Sequence, residues 1–566
     1  MSSSSTTVSA ASRTGGEILV DALAVHGVTT TYCVPGESYL AVLDAMYDVH
    51  GIRNIVCRHE GAAANMAEAY GKLTGEPGIC FVTRGPGATH ASVGVHTAFQ
   101  DSTPMILFVG QVARDCAERE AFQEIDFRRM FGPLTKWVAE IESAERIPEY
   151  VARAFSTAVS GRPGPVVLAL PEDMLKDLAE VPDAPRYKES QGAPRPADIA
   201  ELAARLERAE RPLLILGGGT WTEQARDGLR VFAECNHLPV AAAFRFQSMI
   251  DNTSANYIGD VGLGINPKLA ARIREADLVV AIGPRLGEST TGGYALFNIP
   301  KPHQSLVHVH PSAEELGRVY QADQAINSGM AAFVEALKPI RLAKKQSRED
   351  WLGEGRADYL RHTTPGAIRG NGVDMAHVVH HLSEILPDDA IIASGAGNYT
   401  VWVHRYYRHR GFRTQLAPTS GAMGYGLPAG IAAKIEHPDR VVVAFGGDGC
   451  FMMYGQELAT AAQYDARLIV IVVNNNMYGT IRFHQEMHYP GRVSGTNLVN
   501  PNFAAFARSF GVHGEIVTRT EDFPAAFDRA LKVQGPSLIE LQTDPNVITP
   551  STTLTELRAK QEAAKK

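Results

Sequence analysis

Apolar positions along the chain fall into short continuous runs, and the stretches between them alternate between helical texture and turn residues. From Thr14 to Pro182 the runs NIVCR, GICFVT, PMILFVGQV and GPVVLALP are spaced by helix-like segments such as EGAAANMAEAYGKL and HASVGVHTAFQD. That alternation predicts a parallel sheet with helices on its faces. It stops at the polar, proline-rich VPDAPRYKESQGAPRPAD, which reads as a linker over 183–198. It restarts in RPLLILGGGTW, HLPVAAAF, ADLVVAIG and SLVHVHP, a second domain over 199–340. A charged stretch broken by Pro365 and glycines, 341–371, reads as a second linker. The runs AIIASGAGN, RVVVAFGGDG, ARLIVIVVNNN and GPSLIELQTD then mark a third domain, 372–550, with 1–13 and 551–566 left as tails. The expected fold is α/β: three consecutive doubly wound parallel-sheet domains.

Composition narrows the function more than the fold. At 566 residues the chain exceeds one core, and 45% hydrophobic with 20% charged residues is ordinary for a globular protein. A net charge of −8 without a basic run argues against nucleic acid. The six cysteines lack CxxC spacing, which argues against a zinc site and a disulfide framework. No apolar run is long enough to span a membrane, and MSSSSTTV lacks the pattern of a signal peptide, so a cytoplasmic protein is expected.

Chemistry concentrates at strand ends. RVVVAFGGDG and LIVIVVNNN place Asp448 and Asn475 beyond two strands, 27 positions apart, with one helix and one strand between them. In an open parallel sheet, ligands bind beyond the carboxyl ends of strands. A carboxylate and an amide oxygen there suit Mg²⁺, which takes few protein ligands and completes its shell with phosphate. Either motif alone reads equally as a turn; the register of the two together favours a clamp for a diphosphate. Near the other end of the chain Glu60 opens a helix after NIVCR, where an acid alone more often compensates the helix dipole.

Taken together, RHE at 58–60, GPGATH, AFQE, SGAMGYGLP and GDG(x)25NN resemble the thiamine-diphosphate-dependent enzymes of the acetohydroxyacid synthase, pyruvate oxidase and benzaldehyde lyase superfamily, over Thr14 to Pro550. By that resemblance Asp448, Asn475 and the Met477 carbonyl hold the Mg²⁺ of thiamine diphosphate, framed by Gly447, Gly449 and Cys450 and extended by Tyr478 and Gly479. Glu60 meets the pyrimidine N1′ and needs a proton available near neutral pH. The Gly421 carbonyl accepts from the 4′-amino group, Met423 wedges the two rings, and Asn398, Tyr399 and Thr400 of SGAGNYT touch the diphosphate. Phe122 and Gln123 face the reacting carbon, with Lys136 at the pocket entrance. The cofactor lies between the first domain of one subunit and the third of another, making a homodimer the minimum unit and a homotetramer the expected one.

Three departures set this chain apart from the amino-acid-biosynthetic synthases it resembles. Glu37 replaces a small residue, Gly61 follows RHE in place of glutamine, and His484 replaces a tryptophan that sizes the acceptor pocket. Glu37 reads equally as a solvated loop carboxylate. RLGES at Arg285–Ser289 stands where flavin-containing synthases read RFDDR, which disfavours FAD. The expected activity is a carboligase that decarboxylates pyruvate and joins the acyl unit to a second carbonyl, giving acetolactate or a related 2-hydroxy ketone. The alternative is a C–C lyase or decarboxylase acting on a 2-hydroxyacyl-CoA, oxalyl-CoA or an acyloin. Joint presence of Glu60, Asp448 and Asn475 argues against a non-enzymatic regulatory subunit.

Overall fold

The computed structural model describes residues 11–564. It divides into two compact units, 1–190 and 191–566. In the first, strands β1 (Thr30–Cys33), β2 (Arg53–Val56), β3 (Gly78–Val82), β4 (Met105–Gln111), β5 (Trp137–Glu140) and β6 (Pro165–Pro171) form one parallel sheet in the order 2-1-3-4-6-5. β3, β4 and β6 are buried at every position, as expected of central strands covered by helices on both faces. The helix Gly15–Val25 starts from a capping box between Thr14 and Glu17.

The second unit holds two sheets. β7 (Pro212–Leu216), β8 (Val240–Ala242), β9 (Tyr257–Asp260), β10 (Leu278–Ile282), β11 (Ser305–His310) and β12 (Gln324–Asn327) run parallel in the order 9-8-7-10-11-12. Counted from its first strand this is 3-2-1-4-5-6, the order of dinucleotide-binding sheets. β13 (Ile391–Ser394), β14 (Gln415–Leu416), β15 (Val442–Gly447), β16 (Ile469–Asn474), β17 (His513–Val517) and β18 (Ser537–Gln542) run parallel as 14-13-15-16-18-17. Its relative order, 2-1-3-4-6-5, repeats that of the first sheet. These two sheets are joined by buried hydrogen bonds from Gln247 to the His404 carbonyl (2.7 Å) and from Gln415 to Gln247 (2.9 Å).

Two expectations change. The segment 341–371, read as a linker, contains the 18-residue helix Gln346–Thr363. Residues 551–566, read as a tail, contain the strand Thr552–Thr553, paired with Val547–Thr549, and the helix Leu554–Ala564. This last helix is fastened by Arg558, whose guanidinium donates to Glu486 at 2.6 and 2.9 Å.

Candidate active site

In the third sheet the chain runs from β13 outward to β14, returns to β15 on the other side of β13, and continues away to β16. The reversal opens a crevice beyond the carboxyl ends of β13 and β15. The helix Tyr399–Tyr406 starts beyond β13, and Asp448 follows β15 directly. Gly447 pairs with Val473 across β15 and β16, so Asp448 and Asn474–Asn476 leave the sheet side by side.

Asp448 is buried, 3% exposed, and has no ion pair among the described residues. Its carboxylate accepts from the Gly449 N–H (2.8 Å) and from the Asn500 amide (2.8 Å). Burial pushes its pKa up, against the pull of these donors and of the backbone amides of Met477 and Asn476. A buried carboxylate held only by neutral donors suits a cation. Asn475 Oδ1 accepts from the Met477 N–H at 3.2 Å. Met477 bridges to Asn497, and the Tyr478 N–H donates to the Thr496 carbonyl at 2.9 Å, so the loop is clamped from outside. Gly449 is required here, since a Cβ would lie 2.5 Å from the Tyr478 ring.

Around this loop the remaining positions separate by role. Gly421 turns the chain at φ 69°, and Met423 packs partly buried on the third-domain core. The Cys450 thiol accepts from the Gly424 N–H (3.2 Å), tying the GAMG turn to the loop that carries Asp448. The Asn398 amide donates to the Ile548 carbonyl (2.8 Å), and the Thr400 hydroxyl to Gly397 (2.8 Å). Tyr399, expected at the diphosphate, is buried with its hydroxyl spent on the Gly395 N–H and the Phe445 carbonyl. It pins the ends of β13 and β15. Gly479 begins the helix Gly479–His488, on which His484 is exposed, its ring stacked 6.3 Å from that of His488.

The first unit gathers a second group at the corresponding sheet edge. His59 caps the helix Glu60–Thr74, accepting from the Gly61 N–H, and Glu60 Oε2 lies 2.9 Å from His90 Nδ1. Beyond β1 and β3, Glu37 stands 4.0 Å from Arg84, whose guanidinium also pairs with Glu172 and donates to the Phe122 carbonyl. Gln123 has φ 66°, and its carbonyl accepts from the Gly85 N–H at 2.9 Å. Phe122 is 71% exposed. Lys136 departs from expectation: its ammonium donates to the carbonyls of Thr157 and Ser160 (2.6 Å to the latter), closing the end of the helix Ile147–Val159.

Family models for the N-terminal thiamine pyrophosphate binding domain, the central domain and the C-terminal thiamine pyrophosphate binding domain match residues 13–130, 199–337 and 395–541. The acetolactate synthase isozyme 2 large subunit of Escherichia coli K12 is 30% identical over 532 residues, 94% of this chain and 95% of that one. The chain belongs to the thiamine pyrophosphate enzyme family. The acetolactate synthase large subunit of Parasynechococcus marenigrum is 34% identical, covering 93% of this chain and 87% of its own. A probable acetolactate synthase large subunit of Methanocaldococcus jannaschii is 30% identical, covering 94% and 92%.

Within this thiamine pyrophosphate enzyme, sequence did not single out Asn500 or Glu540, and showed Asn474 only as part of the run off its strand end. Asn500 bridges Asp448, Asn474 (3.0 Å) and Asn476 (3.3 Å) through one amide nitrogen. Asn474 donates to Glu540 (2.8 Å), itself buried and accepting from the Phe503 N–H. In sequence, NPN at 500–502 reads as a turn, and only the fold brings it to GDG. Among the described residues no helix is long and apolar enough to cross a membrane, and all six cysteines are free.

Proposed function

We propose that the chain is a thiamine-diphosphate- and Mg²⁺-dependent acetolactate synthase: it decarboxylates one pyruvate and joins the two-carbon unit to a second, giving acetolactate and carbon dioxide. The observation that carries this is the pairing of Asp448 with the Asn475–Met477 loop at neighbouring strand ends, in a chain aligned nearly end to end with acetolactate synthases. Bound thiamine diphosphate supplies the carbon nucleophile and the electron sink for decarboxylation. Asp448, the Asn475 amide oxygen and the Met477 carbonyl would hold the metal, with Gly447, Gly449, Cys450, Tyr478 and Gly479 shaping the loop. The helix start at Asn398–Thr400 favours the diphosphate through its dipole.

Glu60 holds and moves a proton at the pyrimidine N1′, sheltered at 14% side-chain exposure. The Gly421 carbonyl accepts from the exocyclic amine, and Met423 sets the angle between the rings. Gln123 and Phe122, fixed by their backbone bonds to Gly85 and Arg84, orient the 2-oxo acid. Glu37 and His484 make the acceptor side polar, favouring pyruvate over a longer 2-oxo acid. The subunits form at least a homodimer, most simply a homotetramer, with Glu60 and Asp448 of one site contributed by different subunits, as the family resemblance implies. The protein works in the cytoplasm and without flavin, a reading supported by RLGES at Arg285–Ser289, where flavin-containing synthases read RFDDR; Arg285 is engaged by Glu315 (3.4 Å).

The deciding experiment supplies pyruvate to the Mg²⁺- and thiamine-diphosphate-loaded protein and measures carbon dioxide and acetolactate, with a visible spectrum recorded beforehand. Acetolactate formation and a featureless visible spectrum are expected. Failure to consume pyruvate, with turnover of oxalyl-CoA or a 2-hydroxyacyl-CoA, would replace the synthase by the lyase.

A further inference from the structure

His90 stands on the helix Gly85–Asp101, against the carboxylate of Glu60 on the helix Glu60–Thr74. The contact is built by close packing of the two helices: a Cβ on Gly94 would lie 2.4 Å from the Ala64 methyl. A Cβ on Gly87, one turn before His90, would lie 3.7 Å from Glu60 Oε1. The helix pair therefore holds the two oxygens differently. Oε2 meets the imidazole, while Oε1 makes no hydrogen bond among the described residues.

Exposure grades across the pair. In the chain by itself the His90 side chain is 52% exposed and Glu60 only 14%, and His90 Nε2 makes no hydrogen bond among the described residues. In the single chain the imidazole thus reaches from a sheltered carboxylate toward the surface. Its titratable neighbours are of little help in moving protons. The His59 ring lies 4.7 Å away, but its Nδ1 is occupied by the Gly61 N–H, and burial pushes its pKa down. Tyr39 and Cys80 lie within electrostatic reach of Glu60, and burial pushes both up, leaving them neutral.

We propose that His90 is a positioning residue for Glu60 that also passes protons between solvent and its carboxylate. Water protonates Nε2, Nδ1 gives its proton to Oε2, and the ring is left as the other neutral tautomer; one proton leaves solvent and one reaches Glu60. The reverse sequence discharges it. An imidazole is suited to this because its two nitrogens can carry a proton in on one side and out on the other. The proposal rests on Glu60 as the proton-exchanging acid.

The test compares His90→Ala and His90→Asn with wild type and with Glu60→Gln, measuring hydrogen–deuterium exchange at C2 of bound thiamine diphosphate and cofactor affinity. His90→Ala should slow exchange by about 10²-fold, the low end of general acid–base effects, with affinity retained and with the rate restored by added imidazole. His90→Asn, which can keep the hydrogen bond but cannot relay, should bind cofactor normally and remain slow. In the full chain without cofactor, Glu60→Gln should shift the ¹⁵N resonance of His90 Nδ1, a signature independent of turnover. Exchange at the wild-type rate in His90→Ala, or an Ala variant that imidazole does not restore, overturns the relay. A Glu60→Gln variant that itself exchanges normally would instead remove the role given to Glu60.

Discussion

Replacing Asp448 by asparagine keeps the size of the side chain and one of its oxygens while removing the charge. Burial raises the folded pKa of Asp448 above its unfolded value, so its stabilising contribution is present below the unfolded value and lost as pH rises through the folded one. Metal-free Asp448→Asn should therefore melt above metal-free wild type at pH 7, the gap closing as pH falls toward about 3.9, the unfolded carboxylate. Adding Mg²⁺ and thiamine diphosphate should reverse the order, since only wild type binds; at a hundredfold excess over Kd that stabilisation is about 2.7 kcal/mol. Differential scanning fluorimetry with and without ligands decides it, and an unreversed order would sink the clamp. Asn500→Ala removes a donor that Asp448 shares with Asn474 and Asn476. Loss of such outer support typically costs about 10–100-fold in metal affinity, readable as Mn²⁺ binding by electron paramagnetic resonance. His484→Trp should raise the yield of the 2-oxobutyrate product relative to acetolactate in a mixed-substrate assay. An unmoved ratio would place His484 away from the acceptor.

At the scale of elements, the helix Leu554–Ala564 and the helix Gly479–His488 are tied through Glu486, which is 1% exposed and accepts from Arg558, Arg482 and the Gly491 N–H. The Arg558 guanidinium holds the Glu486 carboxyl down at about 2. The stability this supplies is present above about 4.3, the unfolded value, and is lost as pH falls from there toward 2. Arg558→Gln should cost about 1.5–3 kcal/mol, the range for a hydrogen bond to a charged group, and flatten that acid limb in a denaturant titration. A different helix, Gln346–Thr363, shows where sequence reading reaches its limit. Strands such as ARLIVIVVNNN announce themselves by continuous apolar runs, and Asp448 and Asn475 follow from where those runs end. The helix Gln346–Thr363 does not, because its buried face is built from Arg348, Trp351, Leu352, Gly355 and Tyr359. The spacing is helical, but an arginine and a glycine hide it from a hydrophobic pattern. Arg348 is 2% exposed because its guanidinium donates to the carbonyls of Leu206 and Ala343. In the same way Asn500 and His90 gain their partners only through folding, at separations of 52 and 30 positions that no local motif encodes.

For the whole molecule, the first and third sheets share one strand order and each brings polar residues to its carboxyl edge. If one site takes Glu60 from one subunit and Asp448 from another, Glu60→Gln and Asp448→Ala subunits should complement. Refolding the two inactive variants together at equal amounts should restore about a quarter of the sites, because half the dimers are mixed and each mixed dimer has one intact site. Activity that stays absent in verified mixed dimers would place both residues of a site in the same chain.

The boundary between the two compact units has a practical meaning. It falls at Ser190, in a stretch without helix or strand, with one six-stranded sheet before it and two after it. Cut there, the gene becomes two reading frames, one encoding the half that carries Glu60 and the other the half that carries Asp448. Under the proposed function each reading frame lacks one of those two residues, so neither product by itself should release carbon dioxide from pyruvate.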